Sequence, residues 1–94
     1  MTNRQTISLE DGAKMFREWA ERFGPTQREQ AKAIGFSPST MSNWATGYKV
    51  IHPDICKRMG LVRVIRTEKR KFAEGMIANT KRVVGYRRIS NELR

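Results

Sequence analysis

The residues of this chain that could do chemistry with a partner are a run of short polar side chains between Gly35 and Gly47. Serine and threonine hydroxyls can hydrogen-bond to several base edges or to phosphate, and asparagine can form a bidentate pair with adenine. The run holds one asparagine, Asn43, and no Arg or Lys. Its residue types favour contact with nucleic acid, although arginine to guanine, the strongest base contact, is missing.

Two short helices joined by a tight turn are predicted to position this run. Thr26 caps the first helix, and Ala31 and Ile34 face inward, with Ala31 small because two helices must cross closely there. Gly35 follows, and glycine readily takes the left-handed conformation that a sharp exit from a helix requires. The turn therefore brings the next helix across the first.

The second of these helices is predicted to begin at an N-cap, Ser37, with Pro38 in its first turn, where no backbone N–H is needed. Met41, Trp44 and Ala45 form its apolar side. Because that side must pack inward, the opposite side faces solvent. The outward residues are Ser37, Ser39, Thr40, Ser42, Asn43 and, just past the end, Thr46.

Two further helices complete the predicted helical part. The first begins at Ser8, with Asp11 three residues on as in a capping box, and ends at Gly24-Pro25. The last begins at Pro53 and carries a buried Cys56. His52, which precedes Pro53, is expected to be a helix cap or a surface residue. The apolar face of the first helix comprises Leu9, Ala13, Phe16, Ala20 and Phe23, widened by Met15 and Trp19.

The chain after Gly60 has weaker signals. Residues 61–67 are β-branched and roughly alternating, which favours a strand. One face of a helix would also fit four apolar residues of this region, namely Leu61, Ile65, Phe72 and Met76. Residues 78–94 are expected to be a basic, loosely ordered tail.

The spacing of residues 27–44 resembles the helix-turn-helix of the phage Cro and repressor family, and the resemblance covers about residues 8–60. In that family the two-helix unit starts with Gln, has Ala four residues later and Gly at the turn, and has apolar residues six and nine after that Gly. These are Gln27, Ala31, Gly35, Met41 and Trp44 here. The resemblance implies a mainly α fold with a four-helix core, followed by a C-terminal strand or extension and a basic tail.

The resemblance also implies roles for individual residues. Ser39, Ser42 and Asn43 occupy base-reading places, together with Thr40 and with Pro38 at the edge of the groove. Gln27 holds a phosphate at the start of its helix. Further phosphate contacts are expected from Arg28, Ser37, Thr46, Tyr48 and Lys49.

The charge supports a polyanionic partner. The net charge is +10, of which residues 1–60 contribute +3 and residues 61–94 contribute +7. Such a balance favours nucleic acid first and an anionic membrane second. The first twelve residues lack the apolar core of a signal peptide, no stretch approaches the roughly 18 apolar residues of a membrane span, and the tail lacks a sustained amphipathic face. A cytoplasmic, nucleoid-associated protein of a bacterium or phage-infected cell is expected.

Catalysis and cofactors are not expected. The chain has one His and one Cys, which excludes an internal disulfide and a multi-Cys zinc site and leaves the usual pairs of nucleophile and base mostly absent. No metal site, no cofactor and no enzyme activity are predicted.

The predicted function is that of a sequence-specific regulator of transcription that binds double-stranded DNA. Residues 1–60 would be the DNA-binding domain, residues 61–77 a dimerisation strand or helix, and residues 78–94 the tail. A Cro-like homodimer would occupy a palindromic operator, with half-sites about one helical turn apart, and exclude polymerase.

Two alternatives use the same sequence differently. A DNA-binding antitoxin would hold a toxin protein with residues 61–94. An RNA-binding antitermination factor would use the arginine-rich tail.

Overall fold

The computed structural model describes residues 6–89, apart from the side chain of Phe72. Four α-helices come first and two long strands follow. The elements are α1 (Leu9–Ala20), a 3₁₀ turn (Glu21–Phe23), α2 (Gln27–Ile34), α3 (Pro38–Ala45), α4 (Pro53–Met59), β1 (Leu61–Ala73) and β2 (Met76–Arg88).

The helices begin at the predicted caps. The Ser8 hydroxyl accepts a hydrogen bond from the Asp11 N–H at 3.0 Å, and the Thr26 hydroxyl accepts one from the Glu29 N–H at 3.2 Å. At α4 the cap is His52, whose Nδ1 accepts from the Asp54 N–H at 3.0 Å. These bonds satisfy amide groups that have no partner inside their own helix, so the predicted starts are confirmed.

The core joins all four α-helices to the two strands. Trp44 and Cys56 are buried as predicted, and the apolar face of α1 packs inward through Phe16 and Ala20. Both strands also contribute a side chain to this core. The buried cluster comprises Phe16, Ala20, Ala31, Ile34, Met41, Trp44, Ile51, Ile55, Cys56, Leu61 and Tyr86.

The prediction of a mainly α fold with a four-helix core is wrong, because the chain is a mixed α and β protein. The strand predicted over 61–67 is confirmed, but it continues to Ala73 and pairs antiparallel with β2. Residues 78–88 thus belong to β2, where a loosely ordered tail over 78–94 was expected, and residues 90–94 lie outside the described residues. The charged residues of β2 do not alternate regularly, so its sequence does not indicate a strand. Its strand conformation is stabilised by pairing with β1.

The base of this hairpin is fastened to the helices through Tyr86. Its backbone forms a bridge with Ile7, with N–H to O distances of 2.7 and 2.8 Å. Its buried hydroxyl accepts a hydrogen bond from the Ile51 N–H at 3.1 Å. The Ile51 carbonyl in turn accepts from Nε and Nη2 of Arg63, at 3.0 and 2.8 Å. One residue of the segment between α3 and α4 therefore ties down both strands.

Beyond its base the hairpin leaves the helical body as a two-stranded ribbon. The register shifts between Val64 and Ile65, where Val64 pairs with Gly85 and Ile65 with Val83, so that Val84 is the extra residue of a β-bulge. Bulges bend a strand and increase its twist. Because the ribbon projects from the helical body, the molecule is elongated, at 53 × 37 × 19 Å. None of the helices in the described part of the chain is long and apolar enough to cross a membrane.

Candidate nucleic-acid interface

The start of α3 is shaped by the hydroxyl of Ser37. This hydroxyl accepts from the Thr40 N–H at 3.2 Å and donates to Thr40 Oγ1 at 2.9 Å. Pro38 is the first helical residue. Both hydrogen-bonding functions of Ser37 are thereby used within the protein, whereas the Thr40 hydroxyl accepts one bond and keeps its own proton to donate.

The rotation of α3 about its axis is set by two buried residues. Met41 is fully buried, and Trp44 is 5% exposed. The indole of Trp44 packs edge-on against Phe16, with ring centroids 5.6 Å apart, and against Phe36 at 5.0 Å. Aromatic pairs in this arrangement add to the free energy gained from burial. The opposite side of α3 is therefore held towards solvent.

Ser39, Ser42 and Asn43 lie on that solvent side, at positions i, i+3 and i+4 of the helix. Ser39 is exposed, and Ser42 and Asn43 are half-buried. Among the described residues, none of the three side chains has a hydrogen-bond partner within the protein. Their donors and acceptors are accordingly available to a ligand, as base-reading residues require.

Thr46 lies just past the end of α3 and is exposed, and its hydroxyl has hydrogen-bond partners within the protein. Its hydroxyl donates to the Ser42 carbonyl at 2.9 Å and accepts from the Tyr48 N–H at 3.4 Å. The proton that a phosphate would need is used to close the last turn of α3. Thr46 thus supports the end of the helix in this structure.

Tyr48 and Lys49 follow the end of α3 and are both exposed, Tyr48 at 77%. The Lys49 N–H donates to the Asn43 carbonyl at 3.0 Å, which holds this segment against the helix. Gly47, at φ 81°, makes the reversal possible. The structure therefore holds the backbone of Lys49 beside that of the base-reading candidate Asn43.

Gln27 and Arg28 are the first two residues of α2, and both are exposed. Thr26 already caps this helix through the Glu29 N–H. The neighbouring residue Gln30 turns inward, and its Nε2 donates to the Gly24 carbonyl at 2.9 Å. The start of α2 thus has a fixed geometry, with the two predicted phosphate contacts on its surface.

Two arginines that look like ordinary surface charges in the sequence turn out to organise the helix ends. Arg58 donates to the Ile34 carbonyl at 3.1 Å, at the end of α2, and its guanidinium lies 5.5 Å from the Trp19 ring centroid. Arg17 donates to the Ala45 carbonyl at the end of α3. Each bond joins residues more than twenty positions apart, so no local pattern could have revealed it.

The surface around α3 carries little charge. From Ser37 to Lys49 the only charged residue is Lys49. Within the described residues there is no group of three His, Cys, Asp or Glu side chains that could hold a metal ion. What α3 offers is a set of neutral hydrogen-bond donors and acceptors on one face of a helix.

Comparison of the chain with protein-family models, with curated proteins and with solved structures found no match. The resemblance to the Cro and repressor helix-turn-helix therefore rests on the residues and their spacing alone.

Proposed function

We propose that this protein is a sequence-specific regulator of transcription that places α3 in the major groove of double-stranded DNA. The observation that carries the proposal is the outward face of α3. Ser39, Ser42 and Asn43 lie together there without partners in the described protein, on a helix whose other face is fixed by Met41 and Trp44. An α-helix of this kind fits the major groove, where each base pair presents a distinct pattern.

Each residue then has a role that its surroundings support. Asn43 pairs with adenine through its amide, and Ser39 and Ser42 contact neighbouring base edges. Thr40 lies at the flank of α3. Its hydroxyl accepts the proton of Ser37 and donates its own proton to the DNA. Phosphate contacts come from Gln27, Arg28, Tyr48 and Lys49 around the helix.

The regulator acts as a homodimer. A helix of eight residues is only about 12 Å long and contacts few base pairs. Two copies related by a two-fold axis double the length of the recognised sequence and make the operator palindromic. Bound at a promoter, such a dimer represses by excluding polymerase.

The dimer contact lies near the base of β1, within the 61–77 segment. Val62 and Ile65 are 46% and 55% exposed, and they line a groove between α4 and the hairpin together with Ile89. Burying these apolar side chains against a second copy stabilises association. Ile65→Lys should weaken the dimer, so that the sedimentation coefficient falls towards that of the monomer and the dimer dissociates at a lower temperature. Ile77→Lys, at an equally apolar and exposed position far along the ribbon, is the matched control.

The experiment that tests the function is selection of bound DNA from a random duplex pool, followed by sequencing. A palindromic motif, with half-sites about one helical turn apart, is expected. The same selection with Asn43→Ala should lose information at one base pair in each half-site. If the unaltered protein enriches no motif, it does not read sequence through α3, and the proposal fails.

A further inference from the structure

The ribbon formed by β1 and β2 extends well past the helical body. Its pairing runs without interruption from Arg66 opposite Arg82 to Lys71 opposite Ile77. Successive side chains of a strand point to opposite faces. The ribbon beyond the bulge therefore has two faces of different composition.

One face carries three lysines, and we call it the lysine face. All of its side chains are exposed, and in the described part of the chain it includes no acidic residue. It lies on the side of the ribbon from which Arg63 and Tyr86 reach the helices. The lysine face consists of Thr67, Lys69, Lys71, Ile77, Asn79 and Lys81.

The other face, which we call the arginine face, is partly neutralised. It consists of Arg66, Glu68, Arg70, Ala78, Thr80 and Arg82. Arg82 donates to the Glu68 carboxylate at 2.8 Å, and this hydrogen bond and charge hold the pKa of Glu68 below its ordinary value. The carboxylate stays ionised at neutral pH and would repel an anionic partner.

We propose that the lysine face binds the phosphate backbone of double-stranded DNA, as a contact separate from α3. Its three ammonium groups are spread over both strands, since Lys69 pairs with Asn79 and Lys81 pairs with Thr67 on the neighbouring rung. A two-stranded ribbon is narrow enough to lie in the major groove of B-DNA. Lysines along such a ribbon can reach the phosphates at the groove edges.

The distribution of charge between the two halves of the molecule supports this partner. The α3 surface carries only Lys49 between residues 37 and 49, so it supplies little of the attraction that phosphate contacts give. A second copy of the ribbon is a poor occupant of the lysine face. A two-fold contact would place the same three cations against each other, and like charges facing across strands are destabilising.

The test compares two double variants that remove the same charge from the same strand. Lys69→Gln with Lys71→Gln alters the lysine face, and Arg66→Gln with Arg70→Gln alters the arginine face. All four side chains are exposed, and neither pair removes Arg82 or Glu68, the two members of the ion pair on the arginine face. Affinity for a random-sequence 20-base-pair duplex is measured between 50 and 300 mM salt by fluorescence anisotropy. Thermal melting verifies that both variants are folded.

The lysine variant should reduce the slope of log affinity against log salt by about two, since each lost phosphate contact removes about 0.9. The arginine variant should reduce it by less than half as much. Equal slopes for the two variants, or an unchanged slope for the lysine variant, would overturn the proposal.

Single-stranded RNA of the same length distinguishes the other class of polyanion. Tighter binding to this RNA than to the duplex, lost in the lysine variant, would also overturn the assignment of duplex DNA. The test does not depend on α3, because random-sequence DNA reports backbone contacts only. Asn43→Ala should leave the slope unchanged, so a failure of base reading and a failure of the lysine face give different results.

Discussion

The ring of Tyr86 lies directly against the backbone of Gly12. A β-carbon built on Gly12 would be 2.2 Å from Cε2 of that ring and 2.4 Å from Cδ2. Tyr86 is 2% exposed, and its hydroxyl is bonded to the Ile51 N–H, so the ring has no room to withdraw. The close approach of α1 to β2 therefore requires glycine at position 12, in the first turns of a helix where glycine is otherwise unfavourable.

Gly12→Ala should destabilise the protein by about 1–3 kcal/mol, because the added methyl group overpacks the contact with Tyr86. Helix propensity alone predicts the opposite sign, a gain of about 1 kcal/mol. Urea denaturation measures the difference. In a Tyr86→Ala background the same substitution should become neutral or stabilising, and an equal loss in both backgrounds would show that the tyrosine ring is not the obstacle.

Stability should fall in alkaline solution. Burial raises the pKa of the Cys56 thiol and of the Tyr86 phenol above their ordinary values. Both groups are neutral below about pH 8, and above about pH 9 the unfolded chain loses these protons more readily than the folded one. The favourable contribution is thus complete at neutral pH and is lost as pH rises through the folded pKa values.

Urea midpoints at pH 7 and pH 10.5 measure this effect. The double variant Cys56→Ala with Tyr86→Phe should start from a lower stability at pH 7, because the Ile51 N–H loses its partner. Its midpoint should then change less between the two pH values than that of the unaltered protein. A parallel decline would assign the alkaline loss to other groups.

Arg58→Met should lower the free energy of unfolding by about 1 kcal/mol. It removes the hydrogen bond to the Ile34 carbonyl and the cation–π contact with Trp19. Lys57→Met is the matched control, since this neighbouring residue is exposed and its side chain has no hydrogen bond to another described residue. Thermal melting of both variants is the measurement, and equal melting temperatures would contradict the role given to Arg58.

Asn43→Ala should weaken binding to the selected operator by about 1–3 kcal/mol while leaving binding to random DNA nearly unchanged. Thr46→Val tests a predicted phosphate contact whose hydroxyl is already hydrogen-bonded within the protein. Its hydroxyl closes the last turn of α3, so its loss should lower stability more than it lowers the preference for the operator over random DNA. Titrations with operator and random duplexes separate the two effects. A larger loss of preference in Thr46→Val than in Asn43→Ala would reverse these assignments.

The local features of the helices could be predicted because their signals are local. Ser8, Thr26, Ser37 and His52 cap their helices with atoms two or three residues away. The burial of the α3 residue Trp44 follows from helical spacing alone. These features depend on backbone amides and side chains within one or two turns of each other, which the order of residues specifies directly.

The ribbon could be predicted only in part. Residues 61–67 have a strand pattern of their own, whereas β2 carries Lys81, Arg82, Arg87 and Arg88 without regular alternation. Removing residues 78–94, which a basic tail would tolerate, would delete most of β2 and the buried Tyr86. The pairing register depends on contacts between distant segments, and such contacts leave little trace in a single strand.

The four helices, their caps and the polar outward face of α3 follow from local patterns of residues, because hydrophobic periodicity and capping act over a few positions. That the basic second half forms a ribbon, and that this ribbon separates its lysines from its paired arginine, was established only by the folded molecule. Strand pairing, the Tyr86 to Ile51 bond and the Gly12 contact all join residues far apart in the chain. Their energies depend on which groups burial brings together, and that is set only once the whole core has formed.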